Sequence, residues 1–170
     1  MSEIIFTTAR LTICQLTIED FDAFYTMQSN PKVMQYIKPI LNYEEAKTEL
    51  AKFIRYYSDS KKFYNIWAVK HSETNQFIGI CGVYQNQQTE YEIAYRLTES
   101  AWGNGYGREF AISLIKHSLE EIKLPRLVAY VYTENIPSVK ILEKSMTLIE
   151  ESVHQLTGKV GRKYEVSRFK

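Results

Sequence analysis

Between Ile4 and Leu16 polar and apolar residues alternate around Arg10-Leu11-Thr12-Ile13, the period of two that a strand with one buried face requires. Ile66 to Val69 and Phe77 to Tyr84 predict two further strands, joined as a hairpin through the turn-forming Glu73-Thr74-Asn75-Gln76. Tyr91, Ile93 and Tyr95 alternate with Glu92, Ala94 and Arg96 in a fourth strand. Leu127 to Tyr132, Thr147 to His154 and Tyr164 to Phe169 predict three more. Helical spacing separates them. Phe21, Phe24, Tyr25 and Met27 form one apolar stripe, and Ala46, Leu50, Phe53, Ile54 and Tyr57 a second. Ala111, Leu114, Ile115, Leu119 and Ile122 form a third. Thr17 with Asp20, and Asn42 with Glu45, have the spacing of N-terminal caps, while Asn30-Pro31 and Pro125 stop helices. Val33, Met34 and Ile37 predict a short helical turn before Pro39, and Asn135-Ile136-Pro137-Ser138 opens a last short helix.

The resulting order, β-α-α-β-β-β-α-β-α-β-β, is an α+β pattern in which one βα unit interrupts a mostly antiparallel sheet. It predicts about six to seven twisted strands flanked by about four helices, with residues 1–170 as a single domain. Gly79 and Gly82 weaken the third strand and let something approach its backbone. The 170 residues are 45% hydrophobic, enough to bury a sizeable core. A net charge of +1, from 21 basic and 20 acidic side chains, gives no global attraction to nucleic acid or an anionic membrane. No basic run carries interleaved aromatics, so neither partner is expected. Cys14 and Cys81 stand alone and are expected as buried free thiols in a reducing compartment. His71, His117 and His154 lack metal-ligand spacing, and no metal is expected. No apolar run approaches about 18 residues, so a cytoplasmic protein is expected, as a monomer or homodimer.

Gly103-Asn104-Gly105-Tyr106-Gly107 breaks every periodic pattern between the fourth strand and the long helix. A turn of this kind leaves backbone N–H groups unpaired at the positive end of a helix dipole, which suits an anion and above all a phosphate. Steric needs of the turn alone explain the glycines equally well. A dinucleotide fingerprint is excluded because Arg108 stands where its third glycine belongs, and no Walker sequence occurs.

Trp102-Gly103-Asn104-Gly105-Tyr106-Gly107 resembles the acyl-CoA pyrophosphate loop of the GCN5-related N-acetyltransferases, Q/R-x-x-G-x-G/A at a strand-to-helix turn. Trp102 replaces the usual Gln or Arg, as is common in the branch that includes the ribosomal-protein alanine acetyltransferases. Thr8-Ala9-Arg10-Leu11 with Asp20, Glu92-Ile93-Ala94-Tyr95, and Glu134-Asn135-Ile136-Pro137-Ser138 through Lys144 extend the likeness over nearly the whole chain. The element order matches that fold as well.

The resemblance implies transfer of acetyl from acetyl-CoA to a primary amine, either a protein N-terminus or a small molecule. It places the pyrophosphate on the backbone of Gly103 to Arg108, with the Arg108 side chain either on phosphate or solvated. It runs the pantetheine arm along Tyr95, Arg96 and Leu97, where a backbone N–H would face the thioester oxygen. Asn135 would hold that arm, or serve simply as a helix N-cap. Glu92 sits where many relatives place a base acting through water, although an outward solvated carboxylate explains it equally well. Ser138 matches the serine that the ribosomal-protein branch places near the CoA sulfur. Leu142 replaces the tyrosine that often serves as general acid, and Met146-Thr147 replaces the usual Gly-Phe. These departures motivate a second reading, a non-catalytic acyl-CoA-binding or sensing module of the same fold.

Overall fold

The computed structural model describes residues 2–168. Eight strands form one sheet: β1 (Ile4–Thr7), β2 (Leu11–Gln15), β3 (Tyr64–His71), β4 (Phe77–Gln85), β5 (Tyr91–Leu97), β6 (Arg126–Tyr132), β7 (Thr147–Val153) and β8 (Val160–Ser167). Their spatial order is β1-β2-β3-β4-β5-β6-β8-β7, antiparallel throughout except for the parallel contact of β5 with β6. Five α-helices accompany them: α1 (Phe21–Gln28), α2 (Pro31–Met34), α3 (Tyr43–Tyr56), α4 (Tyr106–Glu120) and α5 (Ile136–Ser145). The expected α+β class and mostly antiparallel sheet are both found.

The strand count exceeds the expectation because Ile4 to Leu16 is two strands rather than one. The Thr8 N–H donates to the Leu11 carbonyl at 2.8 Å and the Leu11 N–H to Thr8 Oγ1 at 3.0 Å, so the chain reverses within Thr8–Arg10. Strand β8 begins at Val160, four residues before Tyr164, because Gly161, Arg162 and Lys163 pair with β6 on one side and β7 on the other. Its last paired residue is Ser167, and Phe169 lies outside the described residues. The short turn after Asn30 is a full helical turn, α2, with Pro31 in its first position and Asn30 Oδ1 accepting from the Lys32 N–H.

The sheet separates two apolar clusters. On one face Leu11, Ile13, Trp67 and Ile93 pack with Phe110 and Leu114 of α4 and Leu142 of α5. On the other, Ile66, Ala68 and Ile80 meet Phe24 of α1 with Leu50 and Phe53 of α3. Cys14 and Cys81 are buried free thiols, and burial pushes the Cys81 thiol pKa well up. What approaches the backbone at Gly79 and Gly82 is the neighbouring strand. A Cβ on Gly79 would meet the Arg96 carbonyl oxygen at 2.2 Å, and one on Gly82 the Asn65 carbonyl oxygen at 2.0 Å.

Two features of this frame position the site. Strands β5 and β6 share a single registered pair, Glu92 with Val128, and then diverge, opening a wedge in the middle of the sheet. The first turn of α4 is clamped to the β1–β2 turn: the Glu109 carboxylate accepts from Thr8 Oγ1 at 2.6 Å, the Arg10 N–H at 2.8 Å and Arg10 Nε at 2.8 Å. Burial would raise the Glu109 pKa, but these donors outweigh it and hold the carboxyl below its usual range.

A carboxyl whose pKa is depressed by folding stabilises the fold above its unfolded value of about 4.3 and loses that contribution as pH falls through the folded value. Glu109→Gln is therefore expected to unfold at lower urea concentration than the wild-type chain at pH 7. The difference should shrink towards zero below about pH 4. Equal midpoints at pH 7 would show that the clamp carries no stability.

Candidate active site

A 3-10 turn at Glu99–Ala101 carries the chain from β5 into Trp102, after which Gly103 and Gly105 both adopt φ of +76°, a conformation that side chains disfavour. Gly107 has a different reason to lack a side chain. It is buried in the first turn of α4, and a Cβ there would sit 3.1 Å from Ile141 Cδ1 of α5. The Asn104 side chain folds back, donating from Nδ2 to the carbonyls of Ala101 at 3.1 Å and Trp102 at 3.0 Å. Arg10 Nη2 donates to the Asn104 carbonyl at 3.0 Å while its guanidinium lies over the Tyr106 ring, 4.5 Å from the centroid. The turn is thus held from behind by side chains that accept nothing from its amides.

Six consecutive backbone N–H groups, from Gly103 to Arg108, have no hydrogen-bond acceptor among the described residues; the first amide that does is Glu109, which donates to the Gly105 carbonyl at 3.2 Å. They stand at the start of a fifteen-residue helix, where the dipole adds positive potential. Orphan amides in this arrangement form an anion cradle.

The wedge between β5 and β6 continues from this cradle. Alternate residues of β5 bond to β4, as the Thr98 N–H does to the Ile78 carbonyl at 2.9 Å. Ile93, Tyr95 and Leu97 therefore turn their backbone groups towards the wedge, while Arg96 turns its own towards β4. Trp102 Nε1 donates to the Leu97 carbonyl at 3.3 Å and closes one end of the strand edge. Opposite, Asn135 is the N-cap of α5, accepting from the Ser138 N–H at 3.4 Å. The Tyr95 and Ser138 hydroxyls lie 3.0 Å apart across the wedge. Burial pushes the Tyr95 phenol up to about 12, with the Ser138 contact pulling the other way.

These residues line one cleft of about 570 Å3, and among the anticipated site residues it brings together Tyr95, Arg96, Leu97, Trp102, Gly103, Gly105, Tyr106, Gly107, Arg108, Asn135 and Ser138. Asn104 and Glu92 are not in its lining. Glu92 lies on the α1–α3 side of β5, where Tyr84 Oη donates to it at 2.8 Å and Asn86 Nδ2 at 3.1 Å. On the same side Arg96 Nη1 donates to Gln28 Oε1 at 2.6 Å and approaches Met34 Sδ at 3.5 Å. Gln28 Nε2 in turn donates to Glu49 at 2.5 Å. Burial lowers the Arg96 pKa, and the Glu49 carboxylate opposes it.

Sequence reasoning missed the Tyr95 hydroxyl, since Tyr95 counted only as strand edge; its partner is 43 positions away and no local pattern links them. Lys32 to Ile37, including Tyr36, supply a further wall of the cleft. Leu142, which replaces the tyrosine of many relatives, is 2% exposed in the core beneath α5. Met146 ends α5 in the same core, its N–H donating to the Leu142 carbonyl at 2.8 Å, so the departure at Met146-Thr147 leaves the helix end intact. Among the described residues no three His, Cys, Asp or Glu side chains gather around a metal position, and no helix is long and apolar enough to cross a membrane.

Comparison with known proteins bears on this geometry. The chain is 29% identical over 166 residues to the uncharacterized N-acetyltransferase p20 of Bacillus licheniformis, covering 95% of this chain and 92% of that one. An acetyltransferase of the GNAT family from Bacillus anthracis superposes with a TM-score of 0.83 at 22% identity, covering 95% of this chain and 97% of that one. A ribosomal-protein α-N-acetyltransferase in complex with coenzyme A superposes at 0.82 with 16% identity, covering 97% and 98% of the two chains. The spermidine N-acetyltransferase of Vibrio cholerae, in complex with CoA and spermine, reaches 0.80 with 16% identity and 94% and 96% coverage. The profile of the Acetyltransferase (GNAT) domain matches residues 10–145, from the Arg10 clamp through the glycine turn to the end of α5, and the chain belongs to that family of acyltransferases.

Proposed function

We propose that this protein transfers an acetyl group from acetyl-CoA to a primary amine within a ternary complex. The observation that carries the reading is the run of six unpaired amides from Gly103 to Arg108, opening onto the same cleft as the free edge of β5. Both features suit acyl-CoA: a diphosphate matches the amide cradle, and a pantetheine amide chain matches an unpaired strand edge. Two structural neighbours are CoA complexes, which supports the same donor here. Their acceptors, a ribosomal protein and a polyamine, keep both a protein N-terminus and a small amine in view.

Acetyl-CoA supplies the activated acyl group; the residues supply position, polarity and proton handling. Tyr95 or Leu97 offers a backbone N–H to the thioester oxygen, where one such donor is worth about 3 kcal/mol as negative charge develops. The amine nitrogen bonds to the carbonyl carbon, the C–S bond breaks, and its electron pair leaves with sulfur. The leaving thiolate, with a thiol pKa of about 8.5, needs a hydrogen bond more than a proton. The Tyr95 phenol, pushed up to about 12, keeps its proton at neutral pH and can donate it into that bond, with Ser138 orienting it. This hydroxyl pair fills the role that Leu142 cannot.

The acceptor must reach the cleft as a neutral amine. At pH 7 that costs about 1.4 kcal/mol for an α-amine of pKa about 8 and about 4.6 kcal/mol for a lysine of about 10.4. Glu92, fixed by Tyr84 and Asn86 on the face of β5 opposite Tyr95, takes the proton through water.

Release of free CoA thiol from acetyl-CoA is the direct test, with N-terminal peptides and small amines offered in turn. Tight acetyl-CoA binding with no release above hydrolysis for any amine would establish the acyl-CoA-binding module instead. Tyr95→Phe, which keeps the ring packed on Phe110, is expected to lower kcat by about 10- to 100-fold, the worth of a hydrogen bond to a charged group, with little change in the KM for acetyl-CoA. An unchanged kcat would remove the phenol from the reaction. Glu92→Gln should lose most activity at low pH, where neutral amine is scarce; a pH profile parallel to that of the wild type would show that Glu92 is not the base.

A further inference from the structure

A second cleft of about 400 Å3 lies on the far side of Tyr36, floored by Tyr130, Tyr132 and Gly161 with Glu150 on its wall. Tyr36 lines this cleft and the larger one alike, so the two meet at its ring. At the junction the ammonium of Lys159 lies 5.5 Å from the centroid of Tyr36 and 5.4 Å from that of Tyr132. Glu134, which lines the larger cleft, faces it at 3.8 Å. Two aromatic faces and a carboxylate converging on one cation is the construction that recognises ammonium ligands.

The charges around the second cleft favour a cation too. Lys163 is neutralised by Glu90 at 2.5 Å, and Arg162 by Glu151 at 2.8 Å and Glu143 at 3.2 Å. Glu150 forms no ion pair among the described residues. The charge left over on the wall is therefore negative.

We propose that Tyr36 and Tyr132, with Glu134 and Glu150, form a subsite for a positive charge that the acceptor carries away from its reacting amine, and that Lys159 fills this subsite until the acceptor arrives. The proposal rests on the acetyl-transfer reading and names its substrate class: an amine bearing a second cation. Lys159 can yield its place cheaply. It follows Gly158 in the β7–β8 turn, its main chain is held independently by the His154 N–H to the Lys159 carbonyl at 2.8 Å, and its side chain is flexible. The ion pair it gives up is exposed, with Glu134 58% accessible, and so contributes little. An acceptor ammonium replaces the two ring contacts it leaves. An acceptor carboxylate would instead meet the negative ring faces and two glutamates.

Three acceptors matched for length test this: a linear diamine, the alkylamine, and the ω-amino acid, across a homologous series. The diamine is expected to show kcat/KM about three- to tenfold above the alkylamine, the discrimination that half-exposed ring contacts supply, with the ω-amino acid poorest. Tyr36→Leu and Tyr132→Leu should each reduce the diamine-to-alkylamine ratio towards one. Lys159→Met should raise that ratio through a lower KM for the diamine. Equal use of diamine and alkylamine at every length overturns the proposal, as does a preference for the ω-amino acid that Lys159→Met abolishes. If no acceptor releases thiol, the acetyl-transfer reading fails by itself. Calorimetric titration of diamine into the CoA-loaded protein still decides the subsite: binding strengthened by Lys159→Met supports it, and absent or unstrengthened binding overturns it.

Discussion

Backbone amides that find no partner within the fold organise this molecule. A buried or half-buried N–H without an acceptor costs free energy, and folded chains leave few of them. Six amides without an acceptor lie across the glycine turn, at residues that are mostly exposed apart from the buried Gly107, and more face the wedge along β5 where β6 turns away after the Glu92–Val128 pair. A sheet that closed over this wedge would be the more self-sufficient structure. The polar backbone left open is complementary to a ligand that carries phosphates at one end and amides along its length.

Much of the surrounding structure keeps that cleft from collapsing. The Arg10–Glu109 clamp fixes the start of α4 from the β1–β2 turn, and Arg10 braces the turn itself through the Asn104 carbonyl and the Tyr106 ring. Asn104 satisfies the carbonyls on the back of the turn without reaching its amides. Gly107 lets α5 come close enough to seat Ser138 beside Tyr95. On the opposite face the half-buried Arg96 is tied through Gln28 to Glu49, so the β5 strand that borders the wedge is anchored from the α1–α3 side. The chemistry proposed for Tyr95 follows from this packing, because it sets the phenol 3.0 Å from the Ser138 hydroxyl across the wedge.

Features written in short spans of sequence were legible. The Asn42 and Glu45 capping box forms as read, with the Glu45 N–H to Asn42 Oδ1 at 2.9 Å and the Asn42 N–H to Glu45 Oε2 at 2.8 Å. The β3–β4 turn has Asn75 at φ of 57°, as its composition suggested. The glycine turn, the strand before it and the helix after it were equally local. Features that depend on distant partners were hidden. The break between β1 and β2 arises from a hydroxyl turn that no glycine or proline marks, and β8 starts at Val160, ahead of Gly161-Arg162-Lys163, which reads as loop until β6 and β7 pair with it. Arg96 finds Gln28 across 68 positions, and the meeting of Tyr36, Tyr132 and Lys159 joins three elements that share no motif.

The account stands or falls on whether those amides grip a diphosphate. Backbone NMR of the isotopically labelled protein, titrated in parallel with CoA and with pantetheine, reads them one by one. The predicted result is large amide shifts for Gly103, Gly105, Tyr106, Gly107 and Arg108 with CoA and none at these positions with pantetheine, while Tyr95 and Leu97 respond to both. Shifts confined to β5, with the amides of the glycine turn unmoved by saturating CoA, would contradict it.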